Sequence, residues 1–458
     1  MDTITASTRL RPELPPAPRA PLSARAFLRA IRTNALTMWP EAAYQEDFAV
    51  SRISGRVNVL LNRADAIHHV LVANSDNYRR SPASIRIMRP IAGDGLLLSE
   101  GDDWKLQRRT IAPALAPRAM PMLARHIAAT TAKALTQLAT SSAQPIDLLP
   151  TMQALALDIA GRSMFSLEMD QYGSAMRRLL TEFAMKHAHA RMLDILLPHS
   201  IPSPADFGRA RFKRRWMRLM ETILATRLAT PQPETPRDLF DLLRAARDPE
   251  TGANFSPPQL RDQVATLILA GHETTAVTLF WAIIMLAQAP AEQAWMAEEA
   301  VRITIEPETA YATAATLHRT RAVVNETLRL FPPAFTIARE AIQADQLGDF
   351  RLPPRGVVLI APWVLHRHHK LWTDPDLFRP DRFMPDQPAP PRFAFMPFGA
   401  GPRICVGAQF AMTEAVLVLA ALVQRFHVTR EDARPVLPVA IITTQPDHPA
   451  RIRLTPRS

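Results

Sequence analysis

The chain of 458 residues has a single cysteine, Cys405. One thiol makes no intrachain disulfide, and it rules out an iron–sulfur cluster held by the chain's own thiolates. Electrons for any redox chemistry therefore come from another molecule. Also missing from the first thirty residues is an apolar run long enough for a signal peptide or a membrane-spanning helix, so a soluble, cytoplasmic protein with no membrane span is expected. That stretch carries Arg9, Arg11, Arg19, Arg25 and Arg29, but Asp2, Glu13 and prolines at 12, 15, 16, 18 and 21 speak against a mitochondrial transit peptide. No dense basic tract is interleaved with aromatics, and no zinc-finger spacing or ribonucleoprotein-type motif occurs. The formal net charge of +11, from 54 Lys+Arg against 43 Asp+Glu, is therefore read as a solvated surface with one basic docking face, and no nucleic-acid partner is expected.

What the chain does have is apolar content, 47% of residues, enough to bury a large core. Residues 1–24 are rich in proline and read as a polyproline II tail, and residues 25–458 as one domain. Phe48 to Leu61 alternates around Gly55 as a hairpin. From about Arg118 to Ala229 a long Leu/Ala/Met periodicity with few glycines predicts helices. Another helix is predicted from about Pro258 to Ala289, with Gly271 at its middle, where glycine costs roughly 1 kcal/mol against alanine. Ala270 and Thr274 lie one turn apart on one face. A threonine hydroxyl there can bond back to the carbonyl four residues earlier, loosening the helix and opening a groove beside Gly271. His272-Glu273 begins a zinc-protease motif, but the position of its second histidine holds Ala276. His366-Arg367-His368-His369 lacks the spacing of a structural zinc site. Val436 to Leu454 reads as short strands.

Around the cysteine the sequence runs from Phe398 through Gly399, Gly401, Pro402, Arg403 and Cys405 to Gly407. Two glycines and a proline fix a tight turn, and Ala408 to Val423 reads as a helix, so the sulfur is expected at a helix N-terminus that favours thiolate over thiol. A lone cysteine is more often an inert buried residue, and it is the ten-residue context that reverses this. That context resembles the heme-ligand loop of the cytochrome P450 family, Phe-x-x-Gly-x-Arg-x-Cys-x-Gly. Four further elements match the family in its order. They are Trp104-x-x-x-Arg108, the run Ala270-Gly271-His272-Glu273-Thr274-Thr275, the pair Glu326 and Arg329, and Phe378-Arg379-Pro380-Asp381-Arg382-Phe383.

The resemblance implies a mainly α fold with small β-sheets, the cytochrome P450 fold, holding heme b (iron protoporphyrin IX). It implies Cys405 as the iron ligand, flanked by Phe398 and Gly407, with Trp104, Arg108, Arg339 and Arg403 at the propionates. Glu273 and Thr274 become an acid–alcohol pair delivering protons to O2, and Glu326, Arg329 and Arg382 hold the fold. By family position Leu97, Leu98, Ala265, Leu269, Ala270, Ala334, Phe335, Ile337 and Ile442 line a substrate pocket. The stretch from Leu179 to Pro198, with Phe183, Met185, Met192 and Leu196, roofs it. The implied reaction is monooxygenation of an apolar small molecule of fatty acid, alkane or terpenoid type. Because only about fifty residues follow Cys405, a separate ferredoxin or flavodoxin is expected as electron donor, docking on Lys105, Arg108, Arg109, Arg392 and Arg403. A peroxide-driven or rearranging P450, or a non-catalytic heme-based sensor, are the alternatives.

Overall fold

The computed structural model describes residues 9–457 apart from residues 54, 141–143, 167–170, 190, 192 and 195–200. The expected hairpin forms: β1 (Phe48–Ile53) runs antiparallel to β2 (Arg56–Leu61), with Gly55 at φ +78° in the turn. Three more strands complete a five-stranded sheet: β3 (Tyr78–Arg80), β4 (Ile337–Ala341) and β5 (Val357–Ile360), in the order β1-β2-β5-β4-β3. The pair β2–β5 is parallel and the others antiparallel.

The helices that position the site are α1 (Pro82–Ala92), α2 (Gly101–Ile111), α3 (Met120–Thr140), α4 (Leu148–Phe165), α5 (Gly173–Glu182), α6 (Pro204–Leu228), α7 (Pro257–Gln288), α8 (His318–Leu330) and α9 (Ala408–Arg425). The spine is α7. Ser256 and Gln259 form a capping box at its start, and Pro257 occupies the first turn, where its missing N–H costs nothing. It is apolar on nearly all sides, which suits a helix surrounded by protein. Both α7 and α9 are long and apolar enough to cross a membrane, yet 67% and 61% of their most apolar windows are buried inside the fold, so they are core helices.

Two cores share α7. Its second half, Ala276 to Leu286, packs with α3, α4, α8 and α9. There Trp281 stacks on Phe331 at 4.2 Å and donates its indole N–H to the Thr444 carbonyl at 2.7 Å. The first half, Leu260 to Ile268, packs with α6 and the turn after α5. Short strands close the chain, among them β6 (Phe426–Arg430), β7 (Pro438–Ala440), β8 (Thr444–Pro446) and β9 (Arg451–Pro456).

One buried charge cluster away from the cavity is well satisfied. Arg329 donates to both Glu326 oxygens (2.7 and 2.8 Å) and to the carbonyls of His366, Pro375 and Leu377. Arg382 reaches Glu326 at 3.3 Å, and the backbone N–H of Arg379 adds a bond at 2.7 Å. Such a set is tolerable only because each group is answered. In the histidine run, His366 Nε2 accepts the Met396 N–H at 2.9 Å, His368 contacts the Glu46 carbonyl, and Arg367 lies 3.7 Å over the Trp363 ring. From residue 9 the tail is part of the body. Arg9 pairs with Asp381, the Leu10 carbonyl accepts the Phe378 N–H, and Leu10, Leu14 and Leu22 pack on the larger core.

Candidate functional site

Between α7 and the Cys405 loop lies a cavity of about 540 Å³. Its floor is the turn from Phe398 to Val406 with the start of α9, and its roof is Leu180, Phe183 and Ala184. The floor turn depends on glycine. Gly399 and Gly401 have φ of +73° and +72°, and a Cβ on Gly401 would sit 1.9 Å from the Leu71 carbonyl oxygen. The Cys405 N–H donates to the Phe398 carbonyl at 2.9 Å, and the Gly407 N–H, at the mouth of α9, is directed at the sulfur. The exposed surface of Cys405 opens into the cavity, not to bulk solvent. The expectation of a ready thiolate is corrected here. Burial pushes the thiol pKa up, and the Gly407 N–H and Arg108, which pull it down, do not outweigh that. A metal cation at the sulfur would supply the missing stabilisation.

Along one side of the floor the fold gathers more positive charge than it answers. Arg80 of β3, Arg339 of β4 and Arg403 all line the cavity. Burial, then mutual repulsion, drives Arg80 down to about 9 and Arg339 to about 10. Glu100 is the carboxylate that reaches them: it pairs with Arg403 and lies 3.8 Å from Arg80. Arg80 Nε has no hydrogen-bond partner among the described residues, and Arg339 Nη1 reaches only its neighbour's carbonyl, Ala338. Trp104 lies under Arg403, with the guanidinium 4.3 Å from the ring. Arg108 donates to the Ile404 carbonyl at 2.7 Å. Both members of this i, i+4 pair line the cavity, with each side chain already engaged. At the start of α2, Glu100 stands at the N-cap, and Asp102 and Asp103 sit in the first turn, where the helix dipole favours them.

On the α7 wall, Thr274 Oγ1 donates to the Ala270 carbonyl at 2.6 Å, the back-bond expected from the sequence. The helix is unbroken there, so the groove arises from the missing side chain. A Cβ on Gly271 would meet no atom within 4 Å. Glu273 is held by three neutral donors: Gln153 of α4 at 3.2 Å, Gln445 of β8, and Thr443 at 3.5 Å.

A family model described as Cytochrome P450 matches residues 32–449. The chain belongs to the cytochrome P450 family. It is similar to cyclooctatin synthase of Streptomyces melanosporofaciens, 33% identical over 83% of each chain, and to pentalenene oxygenase of Streptomyces avermitilis, 31% identical over 81% of this chain and 82% of that one. Cyclooctat-9-en-7-ol 5-monooxygenase of Streptomyces melanosporofaciens is 29% identical over 74% of this chain and 73% of that one. The crystal structure of the cytochrome P450DA heme domain shares the fold, with TM-score 0.78 over 90% of both chains at 24% identity. The protein is a P450 monooxygenase, and its cofactor is a thiolate-ligated heme. The residues present fit that group: a sulfur open to the cavity, buried guanidiniums in excess of carboxylate, and an apolar space between.

Of the expected P450 pocket residues, Leu97, Leu269, Ala270, Ala334, Ile337 and Ile442 line the cavity. Leu98, Ala265 and Phe335 do not. Ala265 faces the second core, since one residue on a helix is about 100° of rotation, and Thr266 and Leu267 take its place. Leu98 is buried after a turn bonded back to Gly95, and Phe335 packs against the larger core. In the roof, Phe183 faces inward while Met185 is 70% exposed; Met192 and Leu196 lie outside the described residues. Of the charges expected at the docking face, Arg109 is bound to Asp248 at 3.0 Å and Glu250 at 3.1 Å, and Arg403 lines the cavity. Arg80 was missed. Its strand has three residues, too few to show alternation.

Proposed function

We propose that this P450 inserts one oxygen atom of O2 into an apolar, terpenoid-type small molecule, with heme b as cofactor and a separate ferredoxin- or flavodoxin-type protein as electron donor. The observation that carries the reading is that the Cys405 sulfur and the open Gly271 face look onto one cavity walled largely by Leu, Ile, Phe, Ala and Met side chains. The terpenoid class draws support from the names of the three Streptomyces relatives.

In this reading Cys405 holds the iron between Phe398 and Gly407. Arg80, Arg108, Arg339, Arg403 and Trp104 answer the two carboxylates of the cofactor. When bound, the heme supplies O2 activation, which thiolate donation favours. The chain's own part is to place protons and exclude water. Thr274 presents a hydroxyl beside the Gly271 opening, and Glu273 is the acid that holds a proton next to it. Leu97, Leu269, Ile337 and Ile442 exclude water and shape the substrate. Arg109, Arg392 and Lys105, which lies 3.7 Å from Asp102, are charges for the donor to meet.

Two measurements test this. Dithionite-reduced protein under carbon monoxide should give a strongly red-shifted Soret band that Cys405→Ser abolishes; a histidine-type carbonyl band in folded protein would overturn the ligand assignment. A panel of cyclic terpenes should displace the resting spin state and be hydroxylated or epoxidised, with Thr274→Ala consuming NAD(P)H largely without product. A fully coupled Thr274→Ala would instead point to a reaction that needs no proton delivery.

A further inference from the structure

His272 sits beside Glu273 on α7, and nothing in the chemistry above uses it. The side chain is 3% exposed. Its Nε2 lies 3.0 Å from the Gln153 carbonyl oxygen. A carbonyl can only accept, so the ring proton is on Nε2. Burial pushes the imidazole pKa down, and Arg177 of α5 adds to that; Glu273 and the bond to Gln153 oppose it. The neutral ring therefore offers a bare lone pair at Nδ1, and among the described residues no donor reaches it. A buried acceptor left unmet is destabilising. Nδ1 is 3.9 Å from Oε2 of Glu273.

The two oxygens of Glu273 are not equivalent. Oε1 accepts from Gln445 and from the Thr443 hydroxyl, whereas among the described residues Oε2 accepts only from Gln153 Nε2, at 3.2 Å. These donors suit the anion. A proton on Oε1 would face two of them, while a proton on Oε2 gives up one bond and finds an empty acceptor. We propose that His272 Nδ1 receives the O–H of protonated Glu273, fixing the proton on Oε2 and holding the acid form in place beside the cavity. The ring takes no proton, and the Nδ1–Oε2 separation of 3.9 Å has to shorten to hydrogen-bond length, about 2.7 Å, when Oε2 carries the proton. His272 is a positioning residue acting through Glu273, and the inference rests on the reading of Glu273 as the proton-holding acid.

Two substitutions separate this role from a structural one. His272→Gln keeps a donor for the Gln153 carbonyl and removes the Nδ1 acceptor; His272→Asn keeps an acceptor near Nδ1 and gives up the Gln153 bond. In the holoenzyme turning over substrate, His272→Gln should lower product formed per NAD(P)H by about threefold or more. His272→Asn should restore it. A purely structural histidine gives the opposite order and overturns the proposal. Independently of turnover, 15N spectra of histidine-labelled ferrous carbonyl holoenzyme should show the His272 Nδ1 resonance shifted by an accepted hydrogen bond, a shift that Glu273→Ala removes. A resonance unmoved by Glu273→Ala overturns the proposal, even if His272→Gln fails to fold. If Glu273→Gln is itself fully coupled, the relay reading falls and takes this one with it. If Glu273→Gln uncouples and His272→Gln does not, only the role of His272 falls.

Discussion

Beneath the cavity and above it, the chain is held by different physics. The floor is polar and each contact has one solution: Gly401 against the Leu71 carbonyl, Cys405 N–H on Phe398, and Arg329 and Arg382 on Glu326. The roof is apolar, with Phe183 on Phe212 at 5.3 Å and Phe212 stacked on Trp216 at 6.5 Å, pinned by one buried ion cluster of Arg209 with Asp194 and Asp206. A buried arginine cannot exchange its partner, whereas an apolar contact accepts another side chain of similar volume. The chemistry therefore sits on parts that resist substitution, and the shape presented to substrate on parts that tolerate it.

The comparison breaks most clearly at Glu326. Glu326→Gln leaves two buried guanidiniums without their counter-charge and should cost about 3–5 kcal/mol in denaturant unfolding; a loss below about 1 kcal/mol would mean the floor is not held by this cluster. Next is acidity. His366, which accepts the Met396 N–H under the floor, is held neutral, its pKa driven by burial from 6.5 to about 3. Between those values the unfolded chain binds a proton that the folded one refuses. Stability from this group is thus complete above pH 6.5 and is lost as pH falls toward 3, at up to about 1.4 kcal/mol per pH unit. His366→Gln should flatten that slope in urea titrations across the window, and an unchanged slope would assign it to other groups. Smaller still is Arg80→Gln, which should speed heme transfer to an apo-globin about tenfold, as loss of a supporting partner does at other metal sites. In the roof, Phe183→Leu should leave stability within about 1.5 kcal/mol while shifting the affinity of bulky apolar ligands, read from spin-state titrations, by about tenfold. A larger stability loss there would erase the distinction between the two regions.

What the sequence disclosed follows the same division. Polar residues at fixed local spacings announce themselves: the Cys405 loop, Glu326 with Arg329, and, on the α7 wall, the Thr274 back-bond to Ala270 all lie where local chemistry puts them. Three kinds of feature stayed hidden. Rotational phase was one, since Ala265 and Thr266 differ by about 100° on α7 and composition does not say which faces inward. Long-range pairing was another. Arg80 reaches the cavity only because β3 joins β4, some 260 residues away, and the cage around Glu273 draws on α4 and β8. The third was burial itself, which sets the acidity of Cys405 against the helix dipole and depends on every layer around it.

The parallel pairing of Asn58–Leu60 with Val357–Leu359, together with the Leu10 carbonyl on Phe378, sets a timetable for synthesis. At about 5–20 residues per second the ribosome needs on the order of a minute for the whole chain. Through most of that time the inner edge of β2 has no partner, and an open strand edge invites wrong pairing. The Cys405 loop emerges later still, and it closes only against Leu71, made hundreds of residues before. Cofactor capture therefore waits until residue 405 has been made and its loop has met Leu71, and chains stalled before that residue should carry no heme.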